Sequence, residues 1–139
     1  MTGNDFLKLA SNLAVNPGLG DVAPRCRTAV SRTCYAAFHF AVEFLAEFGV
    51  RIPANHTGHQ EASRQLHKTK QSDAQMAARL LEDLRTDRNE ADYRLDRQRL
   101  ENQRSAMDAV ESASQLRQFL EACRQEPARS EIVEALSAL

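Results

Sequence analysis

Residues 21–48, "DVAPRCRTAVSRTCYAAFHFAVEFLAEF", constrain the fold more than any other stretch. Asp21 stands where an N-cap belongs, Pro24 falls in the first turn, and no breaker follows until Gly49. The segment therefore reads as one helix on the order of 40 Å long. One apolar stripe runs Val30, Cys34, Ala37, Phe38, Ala41, Phe44, Leu45, Phe48. A second set at helical spacing is Thr28, Arg32, Tyr35, His39, Val42 and Ala46. A helix apolar on more than one side belongs deep in a bundle. Arg32, Tyr35 and His39 are therefore expected to face something other than bulk water.

The remaining segments fit around such a rod. Strand signals are nearly absent, because nothing alternates with period two and β-branched residues are scarce. A first helix is expected over about 4–15, with Phe6, Leu9 or Ala10, and Leu13 on one face, stopped by "NPGLG". A third, polar helix is expected over about 59–69. A fourth is expected over about 74–91, capped by Ser72 or Asp73. A fifth, over about 98–124, would bury Ala106, Ala109, Val110, Ala113, Leu116, Leu120 and Cys123. After Pro127, "ARSEIVEALSAL" forms a short last helix with Ile132, Val133, Leu136 and Leu139 apolar, able to dock on its own bundle or on a partner subunit. The expected architecture is an all-α bundle of four to five main helices over 1–124, with a helical tail over 125–139.

Composition narrows the function classes. The 18 basic and 19 acidic residues nearly cancel, so no global field draws the chain to nucleic acid or a membrane surface, and a nucleic-acid role needs a local patch. Only Lys8, Lys68 and Lys70 are lysines; the other cations are arginines, which suit planar contacts to carboxylates or phosphates. Three cysteines, Cys26, Cys34 and Cys123, with no Cys-x-x-Cys, argue against a disulfide framework or a zinc site and fit a reducing cytosol. No charged-then-apolar leader stands at the N-terminus, and the most apolar run is broken by His39, Glu43 and Glu47, so neither a signal peptide nor a membrane span is expected.

The sharpest anomaly is Arg88 in "DLRTDRNEADYRL". Leu81, Arg88 and Leu95 form one heptad row of the fourth helix, so a guanidinium stands where Leu is expected. Buried alone it would cost several kcal/mol, so it needs a partner. Asp92 is one turn on. Arg85, Arg88, Asn89 and Asp92 share a face, and Tyr93 adds a hydroxyl. If that face meets Arg32, Tyr35 and His39, the bundle holds a polar pocket of arginines, a carboxylate, a phenol and an imidazole. The same cluster also reads as a satisfied core network that only sets helix register.

Two blocks, "RTAVSRTCYAAFHFAVEFL" and "LRTDRNEADYRL", in that order, resemble the HEPN family (higher eukaryotes and prokaryotes nucleotide-binding domain). The pattern is the small prokaryotic branch's "SR-x-YYA-x-FH", here Ser31, Arg32, Tyr35, Ala36, Phe38 and His39 with Cys34 in place of the first Tyr. Its "R-x-x-ADY" is Arg88, Ala91, Asp92 and Tyr93. The resemblance spans about residues 20–123. It implies an up-and-down helical bundle, often a homodimer with sites at the interface. It also implies metal-independent ribonuclease activity, without a cofactor, in toxin–antitoxin, CRISPR or antiviral modules, with an antitoxin or defence-complex partner. The family's signature is Arg followed some four to six residues later by His. Arg88 matches the Arg, but "NEADY" supplies Asp92 and Tyr93 instead of the His. Arg32 to His39 and Arg51 to His56 meet the spacing by count.

Metal-free RNA cleavage needs a base for the 2′-hydroxyl and cations for the developing phosphorane charge. His39 is the candidate base, Arg32 and Arg88 the clamp, and Asp92 an orienting carboxylate. Tyr35, Arg85, Asn89 and Tyr93 are candidate substrate contacts. Without turnover, the same set would bind phosphate. The alternative is a non-catalytic dimerisation or adaptor domain, in which Arg88→Ala would cost about 3–5 kcal/mol of stability. His56, His59 and His67 lack a carboxylate or thiolate on a shared face and read as polar residues opening the third helix rather than a metal site. The arginines over 85–104 interleave with acids and read as a solvated, salt-bridged face, within which "RLDRQR" (94–99) is the one stretch suited to a phosphate backbone.

Overall fold

The computed structural model describes residues 1–137, and all of the regular structure in them is helical. Six helices pack as a bundle: α1 (Gly3–Val15), α2 (Val22–Ala46), α3 (Gly58–Lys68), α4 (Ser72–Tyr93), α5 (Gln103–Cys123) and α6 (Ala128–Ser137). A single 3-10 turn, Pro17–Leu19, links α1 to α2. No helix among the described residues is long and apolar enough to cross a membrane.

Local chemistry sets most helix ends. Thr2 and Asp5 form a reciprocal capping box on α1. Gly49, at φ 79°, closes α2: its N–H reaches Ala46 O, and the Val50 N–H reaches Leu45 O, both at 3.0 Å. This is the Schellman ending, which needs a residue with positive φ. The Asp21 side chain makes no capping bond, although Asp21 is the N-cap residue. The N-cap of α4 is Gln71, so Ser72 and Asp73 lie inside the first turn, where the Asp73 carboxylate opposes the positive helix end.

α2 is the central rod and packs against α1, α4 and α5. The first apolar stripe is buried as expected at Val30, Cys34, Ala37, Ala41, Phe44 and Leu45, with Phe38 and Phe48 partly covered. The second buried face is not the expected one. It runs through Cys26, Ala29, Thr33, Ala36 and Phe40. Thr28, Arg32, Tyr35 and Ala46 are exposed, and His39 and Val42 are half-buried. At 100° per residue the two sets lie on different sides of the helix; α1 packs closely on the first through Gly3 against Ala36 and Phe40, and reaches the second through Phe6 beside Tyr35 and His39. The small residues of the covered face permit close approach: a Cβ on Gly3 of α1 would stand 2.7 Å from the Phe40 ring.

α5 buries Ala106, Ala109, Ala113, Leu116, Leu120 and Cys123, with Val110 at the edge. It begins at Gln103, five residues later than the sequence suggests. Asn102 caps it by accepting the Ser105 N–H at 2.9 Å. Residues 94–102 form a connection held from both sides. Leu100 is buried, Arg99 pairs with Asp87 and Glu90 at 2.7 and 3.0 Å, and Arg97 pairs with Glu90. The arginine-rich stretch is thus the salt-bridged face the charge pattern suggests. α4 stops at Tyr93, so Leu95 does not extend the heptad row and is 72% exposed.

α6 docks on its own bundle. Ile132 is fully buried, Leu136 is partly covered, and Glu131 accepts a bond from Gln71 at 2.7 Å. Val133 is exposed, and Leu139 lies outside the described residues. Arg117, Arg124 and Arg129 lie over the rings of Phe40, Phe44 and Phe48, the first two on the last turns of α2 and the third just past its end. These contacts stitch the C-terminal half to the central rod.

Candidate functional site

A cavity of about 470 Å³ opens between α2, α4, the start of α3 and the loop before it. From α2 it takes Tyr35, Phe38 and His39, and Phe6 of α1 flanks Tyr35 and His39. From α4 it takes Arg85, Arg88 and Asn89, at i, i+3, i+4 spacing. Pro53, Asn55 and His56 close it from the loop, and His59 from the first turn of α3. Gly58 sets this loop close to the bundle, since a Cβ there would stand 2.5 Å from Pro53 O and 3.1 Å from the Phe38 ring.

Arg88 is held part-way between core and solvent, its side chain 29% exposed. Its Nε lies 3.5 Å from Asp92 Oδ2 but makes no hydrogen bond. Asp92 Oδ2 accepts the Ser31 hydroxyl at 3.2 Å. One carboxylate therefore connects α2 to the guanidinium on α4. Arg85, also half-buried, makes no ion pair or side-chain hydrogen bond among the described residues. The cavity thus holds one guanidinium without an anion, Arg85, and another, Arg88, whose ion pair with Asp92 lacks a hydrogen bond at Nε.

The imidazoles are fixed by aromatic rings. His39 stacks on Phe6 of α1, with centroids 5.4 Å apart and planes at 9°, and Tyr35 lies 5.7 Å away. His59 stacks on Phe38 at 4.2 Å and 18°. Its Nδ1 is buried without a hydrogen-bond partner. Burial, followed by the positive charges of Arg85 and Arg88, pushes the His59 pKa down to about 4, so its ring is neutral at pH 7. Cys34, beneath the same helices, is pushed up to about 12 by burial despite the two arginines. It is a neutral thiol and no nucleophile.

Of the eight residues singled out in the sequence, the cavity collects Tyr35, His39, Arg85, Arg88 and Asn89. Asp92 stands behind Arg88 and braces it. Arg32 is exposed and does not line the cavity. Tyr93 is 70% exposed and borders a neighbouring cleft with Arg94 and Arg97, which shares Asn89 with the cavity. Arg51 and His56 are parted as well, Arg51 lining a different cavity with Val42 and Ile52. No three potential metal-ligating side chains meet among the described residues.

Two residues stand outside the site and the core expected from the sequence, in which His59 reads only as a polar residue opening the third helix. His59 belongs to the site; its signal was a histidine in the turn after a Pro- and Gly-containing loop. Arg27 is a structural hub with its side chain 10% exposed. It donates to the carbonyl oxygens of Glu90, Ala91 and Arg94, closely to that of Arg97, and to the Glu101 carboxylate at 3.1 Å. The signal was available: Arg27 stands one heptad before Cys34 on the buried stripe.

Comparison with protein-family models, curated proteins and solved structures found no match.

Proposed function

We propose that this chain is a HEPN-like protein that binds RNA or a nucleotide at the α2–α4 cavity and acts as a metal-independent ribonuclease in a toxin–antitoxin or antiviral defence module. The observation that carries this reading is the pair Arg85 and Arg88 on the wall of a cavity that also holds His39 and a neutral His59. Arg85, with no anion of its own, and Arg88, only loosely paired with Asp92, attract a phosphate, and their planar forks match it. In the cleavage chemistry, His39 accepts the 2′-hydroxyl proton as the 2′-oxygen bonds to phosphorus, the two arginines stabilise the phosphorane, and the P–O5′ bond breaks with the 5′-oxygen taking a proton from water, leaving a 2′,3′-cyclic phosphate. Asp92 holds Arg88 in place and touches no substrate. The homodimer and the antitoxin or defence-complex partner belong to the same proposal through the resemblance.

The test is incubation of the purified protein with total RNA in the presence of a chelator, beside Arg88→Ala and His39→Ala. The expected result is cleavage by the wild type and loss of at least about 100-fold in each variant. Nucleotide binding without cleavage retains the binding reading and removes the ribonuclease. Absence of both ends it.

The adaptor reading has one observation in its favour. The Ser31–Asp92–Arg88 chain of contacts joins α2 to α4 and can serve register alone.

A further inference from the structure

We propose that the site continues into a second cavity between α3 and α4, and that the two together take two linked nucleotide units with the bridging phosphate on Arg85. This rests on the nucleotide-handling reading above. The second cavity has a volume of about 450 Å³, and Ser63, His67, Leu81 and Glu82 line it. His59 and Arg85 line both cavities, so the two abut along that pair. Each lies within the roughly 300–1,000 Å³ typical of small-ligand sites.

The order of charges along this double cavity sets what fits. Arg88 and Arg85 occupy the first cavity and the boundary. Glu82 stands in the second, one turn before Arg85 on α4, yet it does not pair with Arg85. It accepts the Ser63 hydroxyl at 3.0 Å and faces His67 Nε2 at 3.4 Å. The rim arginine of the second cavity, Arg64, is taken up by Glu61 through bonds of 2.6 and 3.0 Å. A phosphate is therefore drawn to the boundary and repelled from the far end.

Beyond the boundary, the remaining lone pairs of Glu82 accept hydrogen bonds from hydroxyl or amino groups. A nucleoside offers both, and it carries no charge for Glu82 to repel. On the near side, the half-exposed Tyr35 ring supplies a face for a second base. One nucleotide fills one cavity, and a dinucleotide fills two with its single anion where the free guanidinium stands.

Calorimetric titration with two probes tests this: a nucleoside 3′-monophosphate, and the corresponding dinucleoside monophosphate methylated at the 2′ oxygen to block self-attack. The expected result is that the dinucleotide binds at least about tenfold tighter, the gain expected from one further base stacked or hydrogen-bonded. Glu82→Ala, a surface substitution whose fold circular dichroism verifies, should weaken the dinucleotide more than the mononucleotide and so reduce that advantage. Arg85→Ala should weaken both probes. Equal affinities in the wild type, or equal losses in Glu82→Ala, overturn the two-unit site and leave single-nucleotide binding standing. Failure of both probes to bind the wild type removes the nucleotide reading itself.

Discussion

Arg27 Nη1 donates to the carbonyl oxygen of Ala91 at 3.0 Å, across the α2–α4 interface. The last carbonyls of a helix have no partner within it, and here a buried side chain from another helix supplies one. The same guanidinium holds the 94–102 connection and pairs with Glu101. Arg27→Ala should therefore strand a carboxylate and several carbonyls at once. Chemical denaturation should show a loss of about 3–5 kcal/mol, with Arg27→Lys recovering only part of it, since an ammonium cannot reach both groups in one plane.

Arg88→Ala should behave differently. Its ion pair with Asp92 is partly solvated and lacks hydrogen-bond geometry, so the stability loss should be about 1 kcal/mol rather than that of a buried pair. Phosphate or RNA binding should fall by at least about tenfold, the loss of one charge-assisted contact. A melting curve beside a binding titration checks both. A large stability loss with binding intact would favour the adaptor reading.

His59 gives a pH signature. Its folded pKa lies near 4 against an ordinary value of 6.5. Above pH 6.5 the ring is neutral in both states and adds no slope. As pH falls from 6.5 towards 4 the unfolded chain takes up a proton that the folded chain refuses, so stability declines across that window and levels off below it. With the ring partly solvated, the decline should be about 1–2 kcal/mol. His59→Phe keeps the stacking on Phe38 and removes the proton. Urea unfolding at pH 7, 5.5 and 4.5 should show a shallower slope for that variant.

Gly58→Ala tests the loop that closes the cavity. A methyl group there meets Pro53 O at 2.5 Å and cannot be accommodated by a side-chain rotation alone. The backbone over 53–58 must move, at a cost of about 1–3 kcal/mol. Because Pro53, Asn55 and His56 wall the site, binding of phosphate or nucleotide should weaken together with the melting temperature. Amide exchange over 50–60, compared between variant and wild type, locates the change.

The helical class was legible because its causes are local. The spacing of Val30, Cys34, Ala37 and Ala41, the buried side of α5 and the stop at Gly49 follow from periodicity and backbone preference within a turn or two. The site was half legible for a related reason. Spacing put Arg85, Arg88 and Asn89 on one face and Tyr35 with His39 on another, and these meet. The same reasoning added Arg32 and Tyr93, which do not line the cavity. Spacing groups residues on a helix but does not say how far along it the neighbouring helix reaches.

What the sequence determined by itself is therefore the set of rods and the stripe on each, because a helix is built from contacts three and four residues apart. Tertiary structure alone decided which side of α2 is left for a cavity, that His59 joins it, and that Arg27 is spent on the end of α4. Those outcomes depend on the rotation and offset of packed helices, set by partners far apart in the chain, such as Arg27 and Glu101, 74 positions apart.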